Sequence, residues 1–204
     1  MIKRLIFDID GTLIRGVNFK SAVAETLKRY DLASKENVEK FIKAIGGYEK
    51  LHNNYNAKDY LSYFGVQLGT TLEEDFLREF FSHLRFVVPE DSEEVRDTID
   101  YLSKRYELVL LSNYFEESQR NRLAQMGINE YFQEYYGEKI IKPNREAYLS
   151  AKGIYLPEEC IIIGDDEELD INVPARMGFH TIQVVKEKQK EGTIEDIKVL
   201  KKIL

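Results

Sequence analysis

The chain has 204 residues, 29 Lys+Arg against 36 Asp+Glu for a formal net charge of −7, and a hydrophobic fraction of 43%. That length suits one sizeable domain or a core carrying a smaller insertion, and the composition is that of an ordinary globular protein without low-complexity tracts. The acidic balance excludes a general nucleic-acid binder, the single Cys160 excludes an internal disulfide, and His52, His83 and His180 lack the spacing of a zinc site.

The first apolar run, Ile2 to Asp10, is short and carries charges. It reads as neither a signal peptide nor a membrane span, so a cytoplasmic protein with no membrane partner is expected. It is rich in β-formers and ends in Asp8-Ile9-Asp10-Gly11-Thr12, a strand that delivers two carboxylates to a sheet edge. Alternation starts Asp8 and Asp10 on one face just where Gly11 lets the chain turn, and the pair is expected to converge on one small volume. Like charges held that close call for a cation, a proton or a reaction.

After Leu13 the pattern turns helical. Phe19, Val23, Leu27 and Tyr30 predict a first helix, and a second is predicted from Ser34 to a stop at Gly46-Gly47. Tyr48 to Phe64 mixes hydrogen-bonding and aromatic side chains; Tyr48, His52, Asn53, Tyr55 and Lys58 are candidates for setting specificity. Thr71 and Glu74 suggest a capping box for a helix with an apolar stripe from Leu72 to Leu84, best taken as core packing. Residues 15–86 thus read as a small helical bundle, near neutral with 11 basic and 10 acidic residues between Arg15 and Arg85, inside an acidic remainder. An anionic substrate would then be drawn by a bound cation and a few placed lysines, not by the overall field.

From Pro89 strands and helices alternate. A helix capped by Asp91 and Glu94 leads to a strand Leu108–Leu111 ending at Ser112-Asn113; a helix from Glu116 to Gly127 and a strand-like Tyr131 to Tyr136 follow. Lys142-Pro143 opens a helix through Lys152, with Pro143 in its first turn. Cys160 to Ile163 is a strand ending in Gly164-Asp165-Asp166, Ile171 to Met177 is helical, Thr181 to Val185 is a last strand, and Thr193 to Leu204 is an amphipathic helix. Such alternation implies an α/β fold, a doubly wound parallel sheet with an inserted α-helical bundle. Ligands of that class bind beyond the carboxyl ends of the strands, where Asp8, Asp10, Ser112, Asn113, Asp165 and Asp170 should meet.

Asp8, Asp10, Asp165 and Asp170 offer hard oxygen ligands, which selects Mg²⁺ over zinc or copper. Asp8 can then attack phosphorus to form an aspartyl-phosphate, with Asp10 as general acid and base. Thr12, Ser112, Asn113 and Lys142 are the candidates for holding the phosphoryl group.

On Asp8-Ile-Asp10-Gly-Thr, Ser112, Lys142-Pro143 and Gly164-Asp165 with Asp170, the chain resembles the haloacid dehalogenase superfamily, in its phosphatase branch with an inserted helical cap. The resemblance implies a core of residues 1–14 and 87–204, a cap over 15–86, and a strand order of 3-2-1-4-5. It also implies that the main-chain carbonyl of Asp10 binds Mg²⁺, that Asp165 ligates it, and that Asp170 orients metal-bound water or Lys142. Two positions depart from the family pattern: Asp166 stands where a small hydroxyl residue is usual, and Pro174 where a small residue such as Ala is usual. Lys139 is a lesser rival to Lys142. The expected activity is hydrolysis of a small phosphorylated metabolite. The alternatives are a phosphoglucomutase-like phosphotransferase and a non-catalytic phosphate- or partner-binding module; a dehalogenase would leave Asp10 without a task. Both a monomer and a dimer are compatible with the sequence.

Overall fold

A computed structural model describes residues 1–90, 92–187 and 192–204. Strand β1 (Arg4–Phe7) is followed by four helices, α1 (Lys20–Arg29), α2 (Lys35–Leu51), α3 (Ala57–Leu68) and α4 (Glu74–Leu84). Then come α5 (Glu93–Ser103), β2 (Glu107–Leu111), α6 (Glu116–Gln125), β3 (Glu134–Tyr136), α7 (Arg145–Ala151) and β4 (Cys160–Gly164). A π-helical turn (Glu167–Asn172) runs into the short α8 (Val173–Arg176), and β5 (His180–Val184), β6 (Thr193–Ile194) and α9 (Leu200–Ile203) close the chain.

All strand pairs are parallel and the order is β3-β2-β1-β4-β5-β6. β1 is central because both of its faces are apolar: Leu5 and Phe7 join a cluster with Leu108, Leu110 and Ile163, while Ile6 joins Val109, Leu111 and Ile162 on the other face. Arg4 pins the opposite end of β1 by bonding Ala151 O at 2.7 Å and pairing with Glu107 and Glu134. The polar residues at the carboxyl ends of β1, β2 and β4 are thereby brought to one edge of the sheet.

Helices α1 to α4 share a separate cluster of buried side chains in which Phe41, Tyr60, Phe64, Phe76 and Phe80 predominate. Phe41 and Phe64 lie 4.3 Å apart between ring centroids, and Phe41 and Phe80 meet edge to face at 5.1 Å. The cluster does not stop at residue 86: Val87, Phe115 and Ile141 belong to it.

Several elements differ from their sequence-based expectation. α2 does not stop at Gly46-Gly47, because its buried face of Val38, Phe41, Ala44 and Tyr48 continues across them, and that burial outweighs a glycine cost of about 1 kcal/mol each. Thr71 forms no capping box; α4 starts at Glu74 after Glu73, with Glu74 and Asp75 in its first turn complementing the helix dipole. Asp91 lies outside the described residues, and Ser92 precedes α5. Pro143 precedes α7, whose cap is Asn144, accepting from Glu146 N at 3.0 Å. Thr193 to Leu204 is not one helix: Thr193-Ile194 extends the sheet beside β5, satisfying edge groups that a helix would leave open. Of the predicted stripe Ile194, Ile197, Leu200 and Ile203, the first three bury in the sheet cluster and Ile203 is exposed.

Candidate active site

Asp8 follows β1 directly and its N–H still bonds Ile163 O of β4 at 2.9 Å, so the sheet ladder fixes the residue. Its buried carboxylate receives Lys142 Nζ at 2.9 Å, and the same ammonium donates to Asp170 at 2.6 Å. Lys142 is held in turn by Asn113, whose side chain accepts from Lys142 N at 2.8 Å and donates to Lys142 O at 3.0 Å. The Ser112-Asn113 end of β2 is therefore a clamp on the lysine loop. Ser112 is buried, and its Oγ accepts from Gln119 Nε2 at 3.2 Å.

Asp165 and Asp170 follow β4. One oxygen from each of Asp8, Asp165 and Asp170 lies within 4.8 Å of the others, a spacing that suits a shared cation. Two glycines make that crowding sterically feasible. A Cβ on Gly11, whose φ is +83°, would stand 2.2 Å from Asp165 Oδ2, and one on Gly164 would stand 2.2 Å from Asp170 Oδ2. Burial pushes the Asp8 carboxyl up to about 8, with the Asp170 charge adding to the rise and Lys142 opposing it. Burial and the Asp170 charge push Asp165 up to about 6. Lys142 stays protonated above its ordinary range: burial works against its charge, but Asp8 and Asp170 outweigh it. Three carboxylates with one ammonium are under-compensated, and an oxygen-only donor set of this kind fits a hard divalent cation.

The expected convergence of Asp8 and Asp10 holds for the cavity that they share but not for their partners. Both line one cavity of about 270 Å³, but their carboxylates part company at the Gly11 turn. Asp10 takes both terminal nitrogens of Arg122, at 2.9 and 2.7 Å, and stays outside the acidic trio. Repulsion is relieved by giving each acid its own cation. Arg122 is 2% exposed and also donates to Val87 O and to Gln119 Oε1 at 3.1 Å, so it is rigidly held. Sequence reasoning missed it. A lone arginine within a polar helix carries no motif and no apolar stripe that would mark it.

Of the remaining candidates, Tyr55 and Asn113 line the cavity, whereas Thr12, His52 and Asn53 do not. Thr12 is buried beneath the turn, His52 stacks on Tyr48 with centroids 4.0 Å apart, and Asn53 contributes its carbonyl to Ile141 N at 3.0 Å. Asp166 lines the cavity, but its side chain caps the following turn by accepting from Glu168 N and Leu169 N at 2.9 and 2.8 Å. Lys142, and not Lys139, reaches the acids.

A sequence model of haloacid dehalogenase-like hydrolases matches residues 2–178. The chain belongs to that family. Among solved structures of the haloacid dehalogenase fold, it is similar to the HAD-hydrolase YfnB from Bacillus subtilis, determined with magnesium bound, at 18% identity and a TM-score of 0.73, covering 99% of this chain and 98% of that one. An L-2-haloacid dehalogenase from Xanthobacter autotrophicus superposes with a TM-score of 0.68 at 15% identity over 100% and 98% of the two chains. A HAD phosphatase from Thermococcus onnurineus gives 0.66 at 20% identity over 99% and 97%. Identities this low establish a common fold. No curated protein matches the chain significantly in sequence. Among the described residues, no helix is long and apolar enough to cross a membrane.

Proposed function

We propose that this HAD-family hydrolase is a Mg²⁺-dependent phosphatase acting on a small phosphorylated metabolite, with residues 15–86 serving as its cap. The observation that carries this reading is the presence of two acids in one cavity under separate control: Asp8 held by Lys142, and Asp10 held by Arg122. Displacing a halide needs one carboxylate nucleophile and no proton donor, so a halide-releasing enzyme would gain nothing from Asp10. Ester cleavage needs both.

Asp8, Asp165 and Asp170 would hold the ion, the main-chain carbonyl of Asp10 adding a further oxygen. Mg²⁺ would supply charge compensation for the acids and for the phosphoryl oxygens. The Asp8 carboxylate attacks phosphorus as the ester oxygen leaves, and Asp10 gives that oxygen a proton. Asp10 then accepts a proton from the water that cleaves the aspartyl-phosphate, releasing phosphate. Ser112 Oγ and Lys142 Nζ donate to the phosphoryl oxygens as charge builds on them. Lys142 also keeps Asp8 oriented, and Asp170 keeps Lys142 in place. Enclosure beneath α2, α4 and the residue that precedes α1, which contribute Ile45, Glu49, Phe80, Leu84 and Phe19 to the cavity wall, limits access of bulk water.

The test is phosphate release from p-nitrophenyl phosphate with and without Mg²⁺. Wild-type protein should turn over only with the ion, and Asp8→Asn should lose activity by roughly a thousandfold or more, since covalent catalysis ends with the nucleophile. Undiminished Mg²⁺-dependent turnover in Asp8→Asn would remove the aspartyl-phosphate route.

A further inference from the structure

The wall of the cavity away from the acidic trio is chemically one-sided. Phe19, Ile45, Phe80, Leu84, Tyr55 and Tyr114 present apolar or aromatic surface, and besides the Asp10–Arg122 pair and the turn-capping Asp166 the charged side chain that interrupts them is Glu49 of α2. Glu49 is half-buried. One oxygen accepts the Tyr55 hydroxyl at 2.6 Å and the other accepts Asn113 Nδ2 at 3.3 Å. A carboxylate offers about four lone-pair sites, so each oxygen retains room for another donor while the two existing bonds hold its orientation.

The cations are already spent. Among the described residues lining the cavity these are Lys142, shared by Asp8 and Asp170, and Arg122, engaged by both oxygens of Asp10. Against them stand six carboxylates, Asp8, Asp10, Glu49, Asp165, Asp166 and Asp170. One divalent cation would still leave the cavity negative before the substrate phosphate enters. A second phosphate or a carboxylate on the organic group would therefore find repulsion and no partner, whereas an ammonium would find Glu49.

Resting on the phosphatase reading above, we infer that the site takes a phosphate monoester whose organic group is apolar and carries an amine directed at Glu49, and that it discriminates against esters bearing a second anion. This class differs from sugar bisphosphates and phosphorylated carboxylic acids, whose second anion requires a free cation.

Three para-substituted phenyl phosphates, their rates corrected for leaving-group pKa against uncharged phenyl phosphates, test the inference on the full chain with Mg²⁺: 4-(aminomethyl)phenyl, 4-ethylphenyl and 4-(carboxymethyl)phenyl phosphate. The expected order of kcat/KM is amine, then ethyl, then carboxylate, with roughly tenfold or more between the extremes for charges meeting at a partly screened site. In Glu49→Gln the ratio of amine to carboxylate should contract by about tenfold, whatever the absolute rates become. Wild-type protein that turns over the carboxylate ester as well as the amine, or a ratio unmoved in Glu49→Gln, overturns the inference and leaves the phosphatase reading standing. Failure to release phosphate from all three esters in the presence of Mg²⁺ refutes the phosphatase reading, and the inference falls with it.

Discussion

Replacing Asp8 with Asn should change how metal-free stability depends on pH, in a direction set by burial. The Asp8 carboxyl lies at about 8 in the folded protein against an ordinary 3.8, because desolvation disfavours its charge and Asp170 sits beyond Lys142. A carboxyl raised on folding binds its proton more tightly in the native state. Its contribution is thus fully present below the unfolded value and is lost as pH rises through the folded one, a window of roughly pH 4 to 8. At ~1.4 kcal/mol per unit, the part of that window between pH 5 and pH 8 amounts to about 2–4 kcal/mol. Asn does not titrate, yet its oxygen can still accept from Lys142 Nζ. The stability of Asp8→Asn relative to wild type should therefore rise by about 2–4 kcal/mol from pH 5 to pH 8. Urea unfolding in the presence of a chelator, at fixed ionic strength, measures it. The Asp165 carboxyl, also raised, is present in both proteins and drops out of the difference. Adding Mg²⁺ should stabilise wild type more at pH 8 than at pH 5, because the ion competes with protons for the same oxygens. A relative stability that is flat, or that falls with pH, would refute the claim that burial of the Asp8 charge is the dominant strain in the site.

Other substitutions test the supporting residues. Arg122→Lys cannot reproduce the two-nitrogen grip on Asp10, and kcat should fall by about tenfold or more while KM changes less; a change confined to KM would show that Arg122 binds substrate and does not position the acid. Gly11→Ala places a methyl 2.2 Å from Asp165 Oδ2 on a backbone with φ of +83°, and should cost about 1–3 kcal/mol in urea unfolding as well as blunting the rise in Tm with Mg²⁺; a wild-type Mg²⁺ response would refute the packing argument. Asp166→Ala should lower stability by about 1 kcal/mol, and Asp166→Ser by less because serine can also cap; equal losses would mean that the carboxylate charge, and not the cap, is what matters.

The central strands could be located in advance because buried parallel strands leave a clear trace: Leu5 to Phe7, Leu108 to Leu111 and Ile161 to Ile163 are apolar runs bounded by turns and separated by helical periodicity, whereas their order was implied by the family resemblance alone. The acids Asp8 and Asp165 were legible for a related reason, since each closes such a run, while Asp170 was legible from its spacing after Gly164-Asp165. What the periodicity could not reveal was direction beyond a turn. Asp10 shares parity with Asp8 along an extended chain, but the bonds from Gly11 N to Ile14 O and Ile14 N to Ile9 O fold the segment into a tight loop and turn the second carboxylate toward α6. Arg122 was invisible on similar grounds: its role is defined only by what α6 faces. At the end of the chain, Thr193-Ile194 has the spacing of a helical stripe and the composition of a strand, and the open edge of β5 decides between them.

The residues read from the sequence as candidates for setting specificity illustrate a different limit. His52, Asn53 and Tyr55 are neighbours in sequence, yet only Tyr55 reaches the cavity. The chain leaves α2 there and runs along the loop before α7, with Tyr55 N bonding Glu138 O at 2.7 Å and Ile141 N bonding Asn53 O at 3.0 Å. Those main-chain bonds fix the direction of the segment and so decide that the Tyr55 ring, tilted against Tyr60 and edge-on to Tyr114 and Phe115, faces inward. The same loop carries Lys142, one residue beyond the second of these bonds, and Asn113 joins Lys142 to Glu49 of α2. Lys142 and the part of the cavity wall built by α2 are therefore tied through one short polar seam. A displacement of α2 or α3 away from the sheet must break the bonds from Tyr55 N and Ile141 N or drag residues 138–142 with it, and in the second case it would disturb the ammonium that orients Asp8. Residues 15–86 are thus distinct from the sheet in their sequence and in most of their packing, but the position of Asp8 depends on both.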